Sequence, residues 1–282
     1  MNLSNLIPND FDSEIFRWLK EDIPYFDVGG YVVGDSSAKA VLLGKSEGIL
    51  AGIPFFTKVF EVLNCQIEWL KPEGEVIKPI EKIGYVTGST KDILQGERLA
   101  LNIITRASGI ATLANKMVSF AENNGFKGKI AGTRKTTPGF RLIEKYSLLV
   151  GGADTHRMDL SSMVMLKDNH IASAGNISKA IEMAKSITSV WYNIEVECKS
   201  FQQAEEAILS GANIVMLDNF NAESGKKTAQ KLKEKYPTSI IEISGGITQN
   251  NLKDYLSPYF DIISMGSLTT GYLPVDFSLK LI

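Results

Sequence analysis

The amino-acid sequence predicts an α/β protein in two parts: an N-terminal α/β sandwich domain followed by an open, incomplete α/β barrel. Short strand-like segments between residues 29 and 93, interrupted by one helix at 54–63, predict a small antiparallel sheet. From residue 129 onward, near-continuous apolar segments alternate with amphipathic ones, a pattern typical of a parallel sheet covered by helices. Six such units are fewer than the eight of a closed barrel, so an open barrel is favoured over the alternative, a doubly wound sheet.

The elements of the first part follow from local apolar patterns. A helix at residues 13–20 would bury Ile15, Phe16 and Leu19, and a long helix is predicted at 93–124. The predicted strands are residues 31–34, 38–45, 48–52, 65–70, 74–80 and 83–89. The tail leaves the alternating pattern and is expected to pack on the first part. The predicted domains are residues 1–110 with the tail 271–282, and residues 111–270.

The second part is predicted from strands that alternate with capped helices. The predicted strands are residues 129–133, 163–167, 192–197, 213–218, 239–244 and 260–265. The predicted helices are residues 176–188, 200–210, 222–235 and 248–256. Asn176 and Ser200 are expected N-caps, and Gly211 is expected to end the second of these helices.

Composition excludes several classes of function. The formal net charge of −2 over 282 residues gives no general argument for binding nucleic acid or membranes. No apolar run reaches the length of about 18 residues that predicts a membrane span, and the N-terminus has no leader pattern. Cys65 and Cys198 form no Cys-x-x-Cys motif, so we expect a reducing, cytoplasmic environment.

Polar residues and glycines follow the predicted barrel strands where each strand ends. Because the carboxyl ends of parallel strands meet at one edge of a barrel, these residues are expected to form one rim. The rim residues are Arg134, Lys135, Lys167, Asp168, Glu197, Asp218, Asn219, Ser244, Gly245, Gly246 and Gly266.

Three types of subsite are expected on this rim. The cations Arg134, His156, Arg157 and Lys167 predict a pocket for a small polyanion, the alternative being solvated surface charges. The carboxylates suit Mg²⁺ or the hydroxyls of a ribose, the alternative being that they cap the following helices. The glycine turns suit a phosphate, because their backbone N–H groups are accessible. The residues of the last two types are Glu197 and Asp218, and Ser244, Gly245, Gly246 and Gly266.

The sequence shows no activated nucleophile, because it lacks a Gly-x-Ser-x-Gly motif and neither cysteine has a base beside it. The three subsites together indicate that an anionic small molecule is joined to a phosphorylated sugar. We therefore expect a reaction in which the substrate supplies its own nucleophile.

Several motifs resemble those of the quinolinate phosphoribosyltransferases. They are TRKTTPGFRLIEKYSLLVGG, THR, MVMLKDNHI, EVEC, VMLDNF, EISGGIT and DFSLKL, with GERLALN around Arg98 and with WLKEDIP and GILAGIPFF near the N-terminus. The resemblance covers almost the whole chain, and the N-terminal details are similar to the eukaryotic, particularly fungal, branch. The bacterial pattern Gly-x-Gly-Asp-x-Thr is absent, and IPYFDVGGYVVG stands in its place.

The resemblance implies a reaction, a set of site residues and an assembly. The reaction converts quinolinate and phosphoribosyl pyrophosphate, with Mg²⁺, into nicotinate mononucleotide, CO₂ and pyrophosphate in de novo NAD biosynthesis. The implied fold is a sandwich with an open barrel of about seven strands. The implied assembly is a dimer that shares active sites through Arg98, or a hexamer. The implied location is cytoplasmic, with the nucleus as a further compartment.

The residues carried over from the family fall into two groups. Those implied to hold quinolinate are Arg98, Arg134, His156, Arg157 and Lys167. Those implied to serve phosphoribosyl pyrophosphate are Thr133, Lys135, Glu197, Asp218, Asn219, Ser244, Gly245, Gly246 and Gly266, with Glu197 and Asp218 also serving the metal.

Three other readings of the sequence stay open. Lys167 could act as the Schiff-base nucleophile of a barrel aldolase or lyase. A relative with the same fold could accept another anionic base, such as nicotinate, although four cationic groups suit two carboxylates better than one. The chain could also be a non-catalytic binding protein.

Overall fold

The computed structural model describes residues 3–282, apart from the side chain of Ser4, and divides into two compact units. Residues 1–2 of the predicted first domain lie outside the described residues. The first unit comprises the residues up to 115 together with 138–152 and 272–282, and the second comprises 116–137 and 153–271. The boundary that the sequence suggested, at residues 110–111, therefore lies within one continuous helix, Thr90–Asn123.

The first unit combines helices with an antiparallel sheet. Its helices are α1 (Asp12–Asp22), α2 (Val28–Val33), α3 (Ile53–Glu61), the greater part of α4 (Thr90–Asn123), and α5 (Arg141–Val150). Its strands are β1 (Ser37–Gly44), β2 (Gly48–Ile49), β3 (Gln66–Trp69), β4 (Val76–Ile77), β5 (Glu81–Ser89) and, from the tail, β12 (Phe277–Leu281). The main sheet has the order β12-β1-β5-β3, and β2 pairs separately with β4. The tail thus forms an edge strand of this sheet.

An aromatic cluster forms the centre of the first core. Phe55 of α3 is fully buried and contacts Phe11 and Tyr146 edge-on, with ring centroids 5.0 and 5.1 Å apart. Tyr146 lies on α5, a helix that the sequence analysis did not assign. Because α5 also buries Ile143, this helix belongs to the first core although it follows the first barrel strand in the chain.

Two predictions for the first unit are wrong. Residues 31–34 were expected to form a strand, but residues 28–33 form α2, because the Asp27 side chain accepts a hydrogen bond from Gly30 N and caps a helix there. Tyr31 and Val32 are 89% and 79% exposed, so they also lack the buried face of a strand. In α1, Ile15 and Leu19 are buried as expected, but Phe16 is 57% exposed.

The second unit is built on a parallel sheet with its helices between the strands. Its strands are β6 (Lys129–Ala131), β7 (Val164–Leu166), β8 (Ile194–Cys198), β9 (Ile214–Asp218), β10 (Ile240–Ser244) and β11 (Ile262–Ser264). Its helices, besides the end of α4, are α6 (Asp168–Ala174), α7 (Ile177–Ile187), α8 (Phe201–Ser210), α9 (Ala222–Lys235), α10 (Leu252–Tyr255) and α11 (Ser267–Thr270).

The strand order identifies an open barrel. The order is β6-β11-β10-β9-β8-β7, and every neighbouring pair is parallel. A seventh position is taken by the chain at Asp154, which forms a single parallel bridge with Ala131 of β6. Among the described residues this segment makes no ladder with β7, so the barrel is open between them. This confirms the predicted fold class.

Helix caps position the loops that follow the strands. The Asn176 and Ser200 side chains accept hydrogen bonds from Lys179 N and Gln203 N, as predicted. The helix expected at 248–256 is shorter and covers only Leu252–Tyr255. Its predicted first turn is replaced by a loop in which Asn251 Oδ1 accepts a hydrogen bond from Thr248 N.

Candidate active site

A cavity of about 620 Å³ lies at the carboxyl ends of the barrel strands. It brings together every rim or pocket residue that the family resemblance assigned to a substrate, except Arg98. The residues that line it are Thr133, Arg134, Lys135, His156, Arg157, Met165, Lys167, Glu197, Met216, Asp218, Asn219, Ser244, Gly245, Gly246, Ile247, Thr248, Ser264, Gly266, Ser267 and Thr270. Asp168, predicted on the same rim, instead pairs with Lys199 at 3.1 Å on the exposed surface.

Two guanidinium groups form the most basic part of the cavity. Burial, and next the positive charge of Arg134, lowers the pKa of Arg157, while nearby carboxylates act in the opposite direction. The Nε atom of Arg134 is buried and has no hydrogen-bond partner within the described part of the chain. A buried donor without an acceptor is costly, so this arrangement favours the entry of an anion.

Lys167 and Glu197, at the ends of two neighbouring strands, form an ion pair on the cavity wall. The backbone of Lys167 is held by His170, whose Nδ1 accepts a hydrogen bond from Lys167 N at 3.0 Å. Lys167, another of the predicted cations, is therefore held at the cavity by the Glu197 carboxylate. An anionic ligand could replace Glu197 as the partner of the Lys167 ammonium group.

Asp218 is oriented by the residue that follows it. Asn219 has a left-handed backbone, with φ of 58°, and its side-chain amide donates to Asp218 Oδ2 at 2.8 Å. The backbone N–H of Asn219 donates to Ser244 O at 2.9 Å, which ties this turn to the end of β10. These two hydrogen bonds hold the Asp218 carboxylate at the wall of the cavity.

Two glycines of the rim have neighbours so close that a side chain at either position would contact them. A Cβ atom on Gly245 would lie 2.3 Å from Asn219 Oδ1, and φ at Gly245 is 106°. A Cβ atom on Gly266 would lie 2.9 Å from Cδ of Lys135. Gly245 therefore requires glycine, because the Asn219 backbone is also close. At Gly266, where φ is −62°, the close contact is with a flexible lysine side chain that can move. Glycine turns of this kind suit the binding of an anion through backbone N–H groups.

His156 lines the cavity, but its ring nitrogens face protein groups. Nδ1 accepts a hydrogen bond from Arg157 N at 2.7 Å, and Nε2 lies 3.3 Å from Glu242 Oε2 and 3.7 Å from Glu195 Oε2. Both glutamates are fully buried. Burial, and next the neighbouring Glu242 carboxylate, raises the pKa of Glu195.

The sequence analysis did not identify the layer of side chains beneath the rim, although a signal for it exists. Side chains in a strand point to the same face at every second residue. Counting back two residues from the rim residues of β7, β8, β9 and β10 gives the side chains below them. These are Met165, Glu195, Met216 and Glu242.

Arg98 is placed elsewhere by the structure. It is exposed on α4 and lines a surface cleft of the first unit with Asp27, Gly30 and Leu94, among others. The cavity of the second unit is lined without it.

An open parallel barrel with cations, carboxylates and glycine turns on one rim defines a class of enzyme that joins an anionic molecule to a phosphorylated sugar. Comparison with known families narrows this class. Residues 25–108 match the N-terminal domain of quinolinate phosphoribosyl transferase, and residues 110–280 match its C-terminal domain. The chain belongs to the quinolinate phosphoribosyl transferase family.

Individual relatives agree with this assignment. The carboxylating nicotinate-nucleotide pyrophosphorylase of Rattus norvegicus is 48% identical over 264 residues, which cover 94% of this chain and 88% of the relative. That of Dictyostelium discoideum is 46% identical and covers 100% of this chain and 99% of the relative. The solved structure of the nicotinate-nucleotide pyrophosphorylase from Francisella tularensis is 34% identical, covers 100% of both chains and has a TM-score of 0.90.

Proposed function

We propose that this chain transfers the phosphoribosyl group of phosphoribosyl pyrophosphate to the ring nitrogen of quinolinate, with loss of CO₂. The products are nicotinate mononucleotide and pyrophosphate. The observation that carries the proposal is the pair of neighbouring guanidinium groups, Arg134 and Arg157, which lie partly buried beside an ion-paired lysine in one cavity. Such a cluster suits a ligand with two adjacent carboxylates better than a ligand with one.

The types of side chain in the cavity suggest how the two substrates would divide between its parts. Arg134, Arg157 and Lys167 would hold the two carboxylates of quinolinate, and His156 stands beside them. The glycine turns at Gly245 and Gly266 would cradle the 5′-phosphate through backbone N–H groups. Thr133, Lys135, Asn219, Ser244 and Gly246 complete the phosphoribosyl side of the cavity.

These residues position and desolvate the reactants rather than attack them. The pyridine nitrogen attacks C1 of the ribose as pyrophosphate leaves, and the sugar passes through a state with oxocarbenium character. Glu197 or Asp218 would stabilise the positive charge on the sugar, and Lys135 the negative charge on the leaving group. The quinolinate mononucleotide formed first has a cationic ring, and this charge stabilises the electron pair left on C2 when the 2-carboxylate departs as CO₂. A proton taken up at C2 then gives nicotinate mononucleotide.

The carboxylates of the cavity fit a magnesium ion. Glu197 and Asp218 both line the cavity, and Asn219 orients Asp218 through one carboxylate oxygen. Oxygen ligands of this kind, together with substrate phosphates, are those that Mg²⁺ prefers. When bound, Mg²⁺ would offset the charge of the pyrophosphate. Direct ligation and contact with ribose hydroxyls are both compatible with these two side chains.

The test is nucleotide formation from phosphoribosyl pyrophosphate, with quinolinate and nicotinate assayed in parallel. We expect product from quinolinate alone, CO₂ in equal amount, and loss of activity with EDTA that excess Mg²⁺ restores. Product from nicotinate alone would mean that the cationic cluster is assigned to the wrong substrate. An adduct between Lys167 and a carbonyl compound, trapped with borohydride, would favour the aldolase alternative.

We also propose that two copies of the chain share each active site through Arg98. Large apolar side chains are exposed beside the cleft that Arg98 lines: Tyr25, Phe26, Val28, Tyr31 and Val32. A patch of this kind is typical of a protein–protein interface. If a second copy of the chain covers this patch, the Arg98 guanidinium beside the patch would contact that second copy. A hexamer built from such dimers agrees equally well with this patch.

Mixed assemblies test the shared site. At a quinolinate concentration below the wild-type KM, Arg98→Ala and Arg157→Ala should each have little activity. Hybrids formed by co-expression should regain activity there, because one of their two sites contains both arginines. The matched control is co-expression of Arg98→Ala with the Arg98→Ala/Arg157→Ala double variant. Neither subunit of these hybrids supplies Arg98, so neither site contains both arginines. Equal inactivity of both hybrids would show that Arg98 does not act across an interface.

We place the enzyme in the cytoplasm, with the nucleus as a further compartment. Both cysteines, Cys65 and Cys198, are buried free thiols, which suits a reducing environment. Between residues 3 and 282 no helix has both the length and the apolar character that crossing a membrane requires.

A further inference from the structure

Two buried glutamates lie directly beneath the cationic part of the cavity. Glu195 and Glu242 come from β8 and β10 and are both inaccessible to solvent. One oxygen of Glu242, Oε1, accepts a hydrogen bond from Ser264 Oγ at 2.6 Å. Apart from a hydrogen bond between the Glu195 and Glu242 carboxyl groups themselves, neither oxygen of Glu195 nor Oε2 of Glu242 has a hydrogen-bond partner within residues 3–282. Buried acceptors of this kind need a nearby donor.

The imidazole of His156 supplies the N–H group that faces them. Since Nδ1 accepts the Arg157 N–H, Nδ1 carries no hydrogen, and the ring hydrogen is on Nε2. Nε2 is directed at the glutamates, with Glu242 Oε2 the nearer at 3.3 Å and Glu195 Oε2 at 3.7 Å. The carboxylates and the backbone of Arg157 therefore act on opposite sides of one ring.

The backbone around His156 is strained, so the turn needs support. His156 has φ of 55°, a left-handed conformation that is uncommon for residues other than glycine. Its N–H donates to Asp154 Oδ1 at 2.7 Å, which fixes one side of the turn. The ring fixes the other side through Arg157 N. The direction in which the Arg157 side chain leaves the backbone thus depends on how the ring of His156 is held.

The same three groups could in principle hold a metal ion, because their ligand atoms lie within 4.8 Å of one another. A metal at Nε2 would require that nitrogen to lose its hydrogen. Nδ1 already lacks one, because it accepts the Arg157 N–H, and a neutral imidazole must keep one hydrogen. The hydrogen bonds of the turn therefore favour a structural role over metal binding.

We propose that Glu242, with Glu195 beside it, is a positioning residue for quinolinate binding that acts through His156 on Arg157. Glu242 keeps the hydrogen on Nε2 and thereby keeps Nδ1 as the acceptor that fixes the Arg157 backbone. The guanidinium of Arg157 is then directed into the cavity. The inference rests on the proposed function, because it takes Arg157 to be a quinolinate ligand.

The test compares Glu242→Met, which fills the same space without an acceptor, with Glu242→Gln, whose carbonyl oxygen can still accept from Nε2–H. Two measurements are made on each: the ¹⁵N chemical shifts of histidine-labelled protein, and the KM for each substrate. The sequence has two histidines, so a His170→Gln spectrum assigns both signals. His170 serves as the internal reference, because Glu242 is not among its hydrogen-bond partners.

We expect wild-type protein and Glu242→Gln to show the hydrogen of His156 on Nε2. Glu242→Met should show a mixture of tautomers and a KM for quinolinate raised about tenfold, the effect of losing one hydrogen bond to a charged group. The KM for phosphoribosyl pyrophosphate should stay within about twofold. Rescue by Glu242→Gln distinguishes positioning from a general effect on stability, which would change both KM values alike.

Other outcomes overturn the proposal. If the wild-type spectrum shows the hydrogen of His156 on Nδ1, that result alone overturns the proposal. Unchanged ¹⁵N shifts and an unchanged KM for quinolinate in folded Glu242→Met would do so as well. If the proposed function fails instead, quinolinate is not turned over by any form of the protein. The ¹⁵N shifts would then still report whether Glu242 controls the tautomer.

Discussion

Replacing Arg157 with alanine should raise the KM for quinolinate by about a hundredfold, with a smaller effect on the KM for phosphoribosyl pyrophosphate. Arg157 lies beside Arg134 in a partly buried environment, where burial and the like charge already lower its pKa. Removing one partner of a desolvated charge pair typically costs about 2–5 kcal/mol, and about 1.4 kcal/mol corresponds to a tenfold change in affinity. Steady-state kinetics with each substrate varied in turn measures both effects.

A cation near the same end of the barrel provides the control. Lys199 follows β8 and pairs with Asp168 at 3.1 Å, but both side chains are 60% exposed and neither lines the cavity. Because exposed ion pairs contribute little, Lys199→Ala should leave both KM values near those of the wild type. Kinetics of Arg157→Ala that match the wild type would refute the assignment of the quinolinate pocket.

The arrangement of the rim could be predicted from the sequence because one geometric rule covers all of it. The carboxyl ends of parallel strands meet at one edge, so Lys167, Glu197 and Asp218 converge although many residues separate them in the chain. The caps Asn176 and Ser200 were predictable for a similar reason, since each forms its hydrogen bond within three residues. Features that depend on residues close in sequence, or on the regular geometry of parallel strands, can therefore be predicted from the sequence.

Features that depend on contacts between distant segments could not be predicted. Residues 31–34 have the composition of a strand, but α2 forms because Asp27 caps it and Gln95 of α4 donates to Asp27 Oδ2 at 2.8 Å. Helix α5 follows the first barrel strand in sequence yet packs in the first unit. In the sequence, Glu195 and Glu242 interrupt apolar strands. Their proximity to His156 depends on how the strands and the loop at 154–157 are arranged in the folded second unit.

Replacing Gly245 with alanine should reduce kcat/KM for phosphoribosyl pyrophosphate by about a hundredfold, because the new Cβ atom would displace Asn219. That atom would lie 2.3 Å from Asn219 Oδ1 and 2.8 Å from its Cα, so the backbone of the turn has to move. Asn219 orients Asp218 through its side-chain amide. A displacement of about 1 Å in such a group is enough for an effect of this size.

Gly175→Ala separates this steric effect from backbone strain. Gly175 has φ of 104°, almost the same as the 106° of Gly245, but a Cβ atom there would meet nothing within 4 Å. Both variants should lose about 1–3 kcal/mol of unfolding free energy, the cost of a side chain in this backbone conformation. Only Gly245→Ala should also lose activity with phosphoribosyl pyrophosphate. If the two variants have the same unfolding free energy and the same kcat/KM for phosphoribosyl pyrophosphate, the Asn219 turn does not support the phosphoribosyl site. Glycine would then be required at position 245 by the backbone conformation alone.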